Sequence, residues 1–250
     1  MKTEKELKEF IKNGHKTHLS NLTIDCAIFG YHEQQLKILL AKWKTLNGLS
    51  LPGGFVGRKE PLSNAAYRIL KERTALDKVF LQQFHTFGDS EFRRQDHKYS
   101  SLPANSWLRE RTLSVGYYAL VEYSRVTVLE DMLTEKYVWQ DIRNVPGLLF
   151  DHNEMLEDAL RHMRINLYHQ PIGYNLLEKK FTLPEIQSLY ETILDKKLDR
   201  RNFSKKLMSL GLIKDTSEVK SIGRHRSPKL YTFDKRNYDR CIKEGIVLAF

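Results

Sequence analysis

The sequence lacks the marks of a secreted, disulfide-linked or membrane-spanning protein. Its two cysteines, Cys26 and Cys241, lie far apart, so neither a disulfide framework nor a zinc site is predicted. No apolar run approaches the roughly 20 residues that a bilayer-spanning helix needs. The N-terminus, MKTEKELKEFIKNGHK, has none of a signal peptide's apolar block, so we expect a cytoplasmic protein.

A surplus of acidic residues is also absent, and the charge is instead positive. The 250 residues carry 41 lysines and arginines against 31 aspartates and glutamates, for a net charge of +10. Residues 171–250 hold 17 of these bases against 10 of the acids, so most of the excess lies in the last third. A basic balance of this kind favours an anionic partner such as nucleic acid.

The order of the apolar runs predicts an α+β protein without internal repeats. Runs at 21–31 and 35–43 predict a hairpin, which is followed by a glycine loop and an amphipathic helix. Further strand-like runs lie at 79–87, 112–123 and 136–142. A closing helix is expected from Asn153.

Three parts are expected along the chain. Residues 1–20 form an N-terminal helical extension, which is either a solvated cap or part of a dimer interface. Residues 21–170 form the α+β domain, and residues 171–250 form a second, smaller domain. The boundary is set where a proline and a glycine break the helical pattern, near 170–176.

The stretch LPGGFVGRKEPLSNAAYRILKERTAL, residues 51–76, is a glycine turn followed by an amphipathic helix. Its apolar residues recur at helical spacing, and Pro61 suits the first turn of the helix. The longer spacing resembles the Nudix box, the loop and helix of the Nudix hydrolase family. The positions in register are Gly54, Glu60, Arg68, Leu70, Glu72 and Leu76.

Three positions depart from this pattern, and two of them remove carboxylates. Ile69 and Arg73 stand where the Nudix box has glutamates, and Ala75 stands where it has glycine. In the enzymes these carboxylates hold divalent metals, which need several oxygen ligands. Isoleucine supplies none, and the fixed charge of an arginine repels a cation. The departures therefore predict a degenerate box with no catalytic residue, no bound metal and no cofactor.

The same helix predicts two side-chain placements. Arg68 and Glu72, four residues apart on one face, are expected to form an ion pair. Arg73 lies on the same side of the helical wheel as several apolar residues. It points either to solvent or toward the former catalytic cleft, and both placements stay open.

The C-terminal part has the pattern of a winged helix-turn-helix. Thr182 and Glu185 form a capping box before a first helix with an apolar stripe. Asp199 can cap a second helix whose buried face includes Phe203 and Leu207, and two strand-like ends then flank a basic loop. The outward side of the second helix and this loop supply the expected DNA contacts. These are Arg200, Arg201, Asn202, Lys205, Lys206, Arg224, Arg226 and Lys229.

A degenerate Nudix domain joined to a winged helix resembles the NrtR-type family of Nudix-related transcriptional regulators, over about residues 20–235. The resemblance implies a Nudix-like α/β/α sandwich with a mixed sheet, followed by a winged helix-turn-helix domain, in a homodimer. The effector in this family is ADP-ribose or a pentose such as arabinose or xylose. The stretches LPGGFV, SVGYYALV, FDHNEML and PIGYNLL are nearer to the sugar-responsive branch, which acts in carbohydrate metabolism.

A long segment without periodicity, residues 88–111, bears on the effector. Long irregular loops in compact domains are usually functional or disordered, so this one is either part of the effector site or a surface loop. Trp107 can stack on a sugar face, and polar side chains can bind hydroxyl or phosphate groups. The candidate effector-binding residues are Gly54, Phe55, Arg73, Asp89, Trp107, Arg109 and Arg111.

Lost metal ligands combined with a basic winged helix predict a DNA-binding transcription regulator that senses a small molecule. Its expected partners are double-stranded operator DNA, an effector of the sugar class and a second copy of the chain, without a membrane. Two alternatives stay open. One is an active Nudix hydrolase of nucleoside diphosphate derivatives such as ADP-ribose, with an attached DNA-binding domain. The other is a sensor that regulates a protein partner.

Overall fold

The protein folds into two compact units in the computed structural model. The described residues are 4–44, 46–77, 79–88, 105–128, 133–171, 174, 176–221 and 227–245. The first unit consists of residues 1–29, 37–119 and 124–160, and the second of residues 30–36, 120–123 and 161–250. Along the chain, the second unit begins for the last time at residue 161. The predicted domain boundary at 170 stays a prediction.

In the described part of the chain, the strands up to residue 141 form one seven-stranded sheet. Its strands are β1 (His18–His32), β2 (Gln35–Trp43), β3 (Leu49–Ser50), β4 (Gly53–Gly57), β5 (Phe80–Phe87), β6 (Leu113–Glu122) and β7 (Thr134–Asp141). The strand order is β3-β2-β1-β6-β5, with β4 also paired to β1 and β7 also paired to β2. The pairs β1/β4, β2/β3 and β2/β7 are antiparallel.

The predicted hairpin is present as β1 and β2. The four residues from Cys26 to Phe29 are fully buried, so both faces of β1 are covered there, which explains its continuous apolar run. The strands are joined by Glu33 and Gln34, whose φ angles are 49° and 59°. Two consecutive left-handed residues match the right-handed twist of the strands and make a tight two-residue turn.

Among the described residues up to 168, the α-helices are α1 (Glu4–Asn13), α2 (Leu62–Thr74) and α3 (His152–Leu167). Helix α2 is the predicted helix of the Nudix-like box. It follows Pro61, whose φ of −59° suits a helix start, and it buries its apolar stripe. It ends at Ala75, which adopts the left-handed conformation with φ of 57°. The αL cap therefore occurs at the position where the Nudix box has glycine.

The second unit contains the predicted winged helix elements, which are α4 (Leu183–Leu194), α5 (Arg200–Ser209), β8 (Ile213–Val219) and β9 (Lys229–Phe233). A further helix, α6 (Lys235–Glu244), follows and was not predicted. The capping box at α4 is confirmed, since Thr182 and Glu185 satisfy each other's backbone N–H groups. Asp199 accepts a hydrogen bond from the Asn202 amide, as expected for the cap of α5. Strands β8 and β9 pair antiparallel and form the wing.

No helix in the described part of the chain has both the length and the apolar character needed to cross a bilayer.

We expect Ala75→Gly to stabilise the protein by up to about 1 kcal/mol, because glycine adopts the left-handed conformation without the strain of a Cβ. The measurement is the free energy of unfolding from denaturant titration. Ala66→Gly, inside the same helix, is the matched control and should destabilise the protein by about 1 kcal/mol or more. A loss of stability in Ala75→Gly would show that Ala75 carries no strain.

Candidate functional site

The glycine pair of the Nudix-like box lies on β4, which pairs with β1. Gly53 stands opposite Asp25, and Gly54 stands opposite Ile24. A Cβ at Gly53 would overlap Oδ1 of Asp25, and one at Gly54 would lie 3.1 Å from Cγ1 of Ile69. Gly53 leaves no room for a Cβ, because the Ile24 carbonyl oxygen would lie only 2.8 Å away, whereas a Cβ at Gly54 would require a small shift of the Ile69 side chain. Ile69 is fully buried, so the residue that replaces a glutamate belongs to the core.

Arg68 binds Glu60 and Glu72, the two glutamates of the Nudix-box pattern that this chain has. Its Nε and Nη2 donate to the two carboxylate oxygens of Glu60 at 2.8 and 2.9 Å. Its Nη1 lies 3.3 Å from Oε1 of Glu72, so the predicted Arg68–Glu72 ion pair is present. Nη2 also donates to the carbonyl of Phe55, and Glu60 accepts from the Gly57 amide. This network ties α2 to the loop that precedes it and to β4.

The electrostatics of the cluster follow from these hydrogen bonds. Those from Arg68 lower the pKa of Glu60 more than its burial raises it. The same contacts raise the pKa of the Arg68 guanidinium, with Glu60 as the main cause and Glu72 contributing as well. Both partners are therefore held in their charged forms.

Arg73 lies beside the glycine pair. Its Nη2 donates to the carbonyl of Gly53 at 3.1 Å, and the same atom lies 3.9 Å from the position of a Cβ on Gly54. The side chain is therefore directed at the backbone of β4 rather than at solvent, and its predicted place in the former catalytic cleft stays a prediction. Across the described ranges, no group of three or more His, Cys, Asp or Glu side chains is arranged to hold a metal ion.

A polar cluster that the sequence analysis missed lies next to this loop. Asp25 on β1 accepts a short hydrogen bond from Ser114 on β6, and its Oδ1 is 3.7 Å from Nε2 of His152 on α3. The Nδ1 atom of His152 accepts from the Leu51 amide at 2.9 Å, so the proton of the neutral ring lies on Nε2 and faces Asp25. The missed signal was a lone aspartate within an apolar strand run.

Two of the predicted effector-binding residues belong to an aromatic cluster under α1. Trp107 is only 6% exposed, and its ring packs against Phe10 and Phe55 with centroids 5.3 and 4.8 Å away. Its Nε1 donates to the carbonyl of Ile11 at 3.0 Å. The indole is therefore packed on its neighbours rather than exposed, and the expected effector role of Trp107 stays a prediction. Phe55 contributes its carbonyl to Arg68 and its ring to this cluster.

The other candidates from the long loop are only partly described. Arg111 is exposed and donates to the carbonyl of Gly88 at 2.9 Å, which ties the two ends of the loop together. Arg109 is half-buried at the end of a short 3-10 helix that follows Ser106. Asp89 lies outside the described residues. An effector role of Arg109, Arg111 and Asp89 stays a prediction.

The second candidate surface is the outward face of α5. Phe203 and Leu207 are fully buried, and Phe203 packs edge-to-face on Tyr190 of α4 at 5.2 Å. This packing turns the opposite side of the helix outward. The predicted contacts Arg200, Arg201, Asn202 and Lys205 are exposed there, and Lys206 is half-buried at the side.

The wing carries cations that are paired to acids. Nζ of Lys229 lies 2.7 Å from Oδ2 of Asp215 on the neighbouring strand, and Lys220 is bound to Glu185 at the start of α4. Each contact raises the pKa of its lysine through a hydrogen bond to the carboxylate. The predicted contacts Arg224 and Arg226 lie outside the described residues.

Comparison with known proteins identifies similar sequences for both units. Residues 173–233 match the profile of the NrtR DNA-binding winged helix domain. A protein of Acinetobacter baylyi, the ADPR responsive transcriptional repressor NtrR, is 28% identical over 225 residues. The match covers 87% of this chain and 84% of that protein. Its name does not support the sugar-responsive branch that the motifs favoured.

Solved structures agree with the fold. Shewanella oneidensis NrtR in complex with a 27mer DNA is 26% identical with a TM-score of 0.69, covering 87% of this chain and 95% of that one. A MutT/nudix family protein of Enterococcus faecalis has a TM-score of 0.59 at 21% identity, over 94% of this chain and 100% of its own, and shows the fold alone. The predicted fold, a Nudix-like domain with a mixed sheet followed by a winged helix domain, is confirmed.

We expect Glu60→Gln to lower the free energy of unfolding by about 1–2 kcal/mol at pH 7, because Arg68 loses a charged partner. The pKa of Glu60 lies below its ordinary value of 4.5 in the folded state. Its contribution is therefore present above pH 4.5 and lost as the pH falls through the lower folded-state pKa. Denaturant titrations at pH 7 and between pH 5 and 3 should show the gap between variant and wild type closing.

The control for this series is Glu135→Gln, because Glu135 forms an exposed pair with Lys42. It should change stability by less than about 0.5 kcal/mol. A gap between Glu60→Gln and wild type that stays constant across the pH range would contradict the assigned cause.

Proposed function

We propose that this chain, which the comparisons support as a member of the NrtR-type family of Nudix-related regulators, is a DNA-binding transcriptional regulator controlled by a small effector. The winged helix domain binds operator DNA, and the Nudix-like domain binds the effector. The observation that carries the proposal is the pairing of a basic, outward α5 with a Nudix helix whose carboxylates are already bound by Arg68.

The DNA-binding part rests on the composition and exposure of α5. Arginine can bind guanine edges, asparagine can bind adenine edges, and lysine can neutralise phosphates. Arg201, Asn202 and Lys205 are exposed on a helix whose other side is anchored by Phe203 and Leu207. The similarity of residues 173–233 to the NrtR DNA-binding winged helix domain supports the same reading.

The Nudix-like domain acts as a sensor and not as a hydrolase in this proposal. Metal-dependent hydrolysis of a pyrophosphate needs carboxylates that are available to bridge divalent ions. Glu60 and Glu72 are both bound by Arg68, while Ile69 is buried and Arg73 brings a positive charge to the loop. A guanidinium at this position suits an anionic ligand better than a metal.

The effector that we propose is of the ADP-ribose class. The Acinetobacter relative is named for its response to ADPR, and Arg73 beside the glycine pair is suited to bind a diphosphate. Free pentoses are the second candidate, because the stretches LPGGFV, SVGYYALV, FDHNEML and PIGYNLL resemble the sugar-responsive branch. In either case the effector must bind the DNA-competent and DNA-incompetent states with different affinity.

We also propose that two copies of the chain form a homodimer that binds the operator. One winged helix reads only a short half-site, and two related copies can read half-sites about one helical turn apart. The direction of control follows from whichever state of the dimer the effector prefers.

We expect Arg201→Ala combined with Lys205→Ala to weaken operator binding at least about tenfold and to reduce its salt dependence. The binding curve can be measured by fluorescence anisotropy on a promoter fragment at two salt concentrations. Lys8→Ala combined with Lys12→Ala is the matched control, because both lysines are exposed on α1 and the net charge changes equally. Equal affinity of the two double variants would place the DNA contacts elsewhere.

We expect ADP-ribose to raise the melting temperature in the presence of EDTA, since a ligand that binds only the folded state stabilises it. Arg73→Ala should weaken this binding about tenfold or more, because a charge-assisted contact to phosphate is lost. Lys71→Ala is the control on the same helix, since Lys71 is exposed and paired with Asp77.

The same titrations separate the alternatives. A melting-temperature rise with arabinose or xylose and none with ADP-ribose would select the sugar-responsive branch. Magnesium-dependent release of products from ADP-ribose, abolished by Glu72→Gln, would overturn the sensor assignment in favour of a hydrolase.

A further inference from the structure

Met208 is an exposed apolar side chain on the outward face of α5. It is 46% exposed, whereas Phe203 and Leu207 on the inward face are fully buried. Residues seven apart lie on one face of an α-helix after about two turns, so Met208 shares its face with Arg201 and Lys205. Within the described structure, no other large apolar side chain of α5 is exposed.

The position of Met208 is set by the hydrogen bonds that close the end of the helix. The Met208 carbonyl accepts from the Gly211 amide at 2.9 Å, and the Leu210 amide donates to the Lys206 carbonyl at 3.1 Å. The Leu212 amide donates to the carbonyl of Leu207, whose side chain is in the core. The last turn is therefore held to the same packing that orients the rest of α5.

We propose that Met208 contacts the C5-methyl group of a thymine in the major groove and so helps to set the operator sequence. This inference rests on the proposed DNA-binding function. The base edges in the major groove carry hydrogen-bond donors and acceptors, and the thymine methyl is their apolar group. A thioether is only a weak acceptor but an adaptable apolar side chain, so the methyl group is the base-edge partner that suits it.

The spacing along α5 predicts where this thymine lies. The helix has ten residues, and at 1.5 Å per residue it is about 15 Å long. Arg201 and Met208 are separated by about 10 Å along the helix axis. Zinc-finger helices in the major groove contact successive bases with residues three to four apart. A helix lying along the groove would thus bring Met208 to a base pair about two steps from the one that Arg201 contacts.

The test begins with the operator preference of the full chain. Duplexes that bind the wild-type protein are selected from a random library, with and without ADP-ribose and pentoses. Each thymine of the selected sequence is then replaced singly by deoxyuridine, which removes the methyl group and leaves the base-pairing edge unchanged. The affinity of every duplex is measured for wild type, Met208→Gln and Met208→Leu. Melting temperatures confirm that the variants, which change an exposed position, remain folded.

We expect one thymine whose replacement weakens wild-type binding about fourfold, the factor that corresponds to the burial of one methyl group. Met208→Gln should bind the methylated and unmethylated duplexes equally, while Met208→Leu should keep the discrimination. The sensitive thymine should lie about two base pairs from the position whose preference is lost in Arg201→Ala.

Two results would overturn the inference in distinguishable ways. If a sequence is selected but no thymine shows a methyl effect that depends on Met208, the contact is absent while DNA binding stands. If no duplex is enriched under any condition, the proposed DNA-binding function fails and this inference fails with it.

Discussion

The Nudix-like box is organised around the hydrogen bonds that the guanidinium of Arg68 donates. The guanidinium bridges Glu60 in the loop, Glu72 on α2 and the Phe55 carbonyl on β4, and so it joins three consecutive pieces of the chain. A bidentate guanidinium–carboxylate pair is both strong and directional, which suits it to fixing a loop. The same contacts place one guanidinium against both carboxylates. One side chain thus links the strand, the loop and the helix of the motif.

Acidic residues have a comparable organising role in the second unit, where bases are in excess. Asp199 caps the start of α5, while Asp215 and Glu185 bind Lys229 and Lys220 of the wing. These pairs hold Lys229 against the neighbouring strand β8 and Lys220 against the start of α4. On α5, the exposed bases lie opposite the apolar side that anchors the helix.

Sequence patterns predicted those features that depend on neighbours along the chain. The hairpin, α2, the capping box at Thr182 and the Arg68–Glu72 pair all arise from residues within a few positions of one another. The cluster of Asp25, Ser114 and His152 could not be predicted, because its members are far apart in the sequence. Ser114 lies about 90 residues after Asp25, and His152 lies about 40 residues after Ser114, so only the folded chain brings them together. The burial of Trp107 was not predicted for the same reason, since its ring contact Phe10 lies on α1. Long-range packing leaves no local period in a sequence.

The burial of Ile69 limits which side chains position 69 can carry. A glutamate at position 69 would introduce a carboxylate where Ile69 packs on Gly54, and an uncompensated buried charge is costly. A glutamate at position 73 alone would lose the contact that Arg73 makes with Gly53. Either substitution to glutamate is therefore expected to lower stability on its own. The apolar contact between Ile69 and Gly54 thus sets a stability cost on any carboxylate at this position.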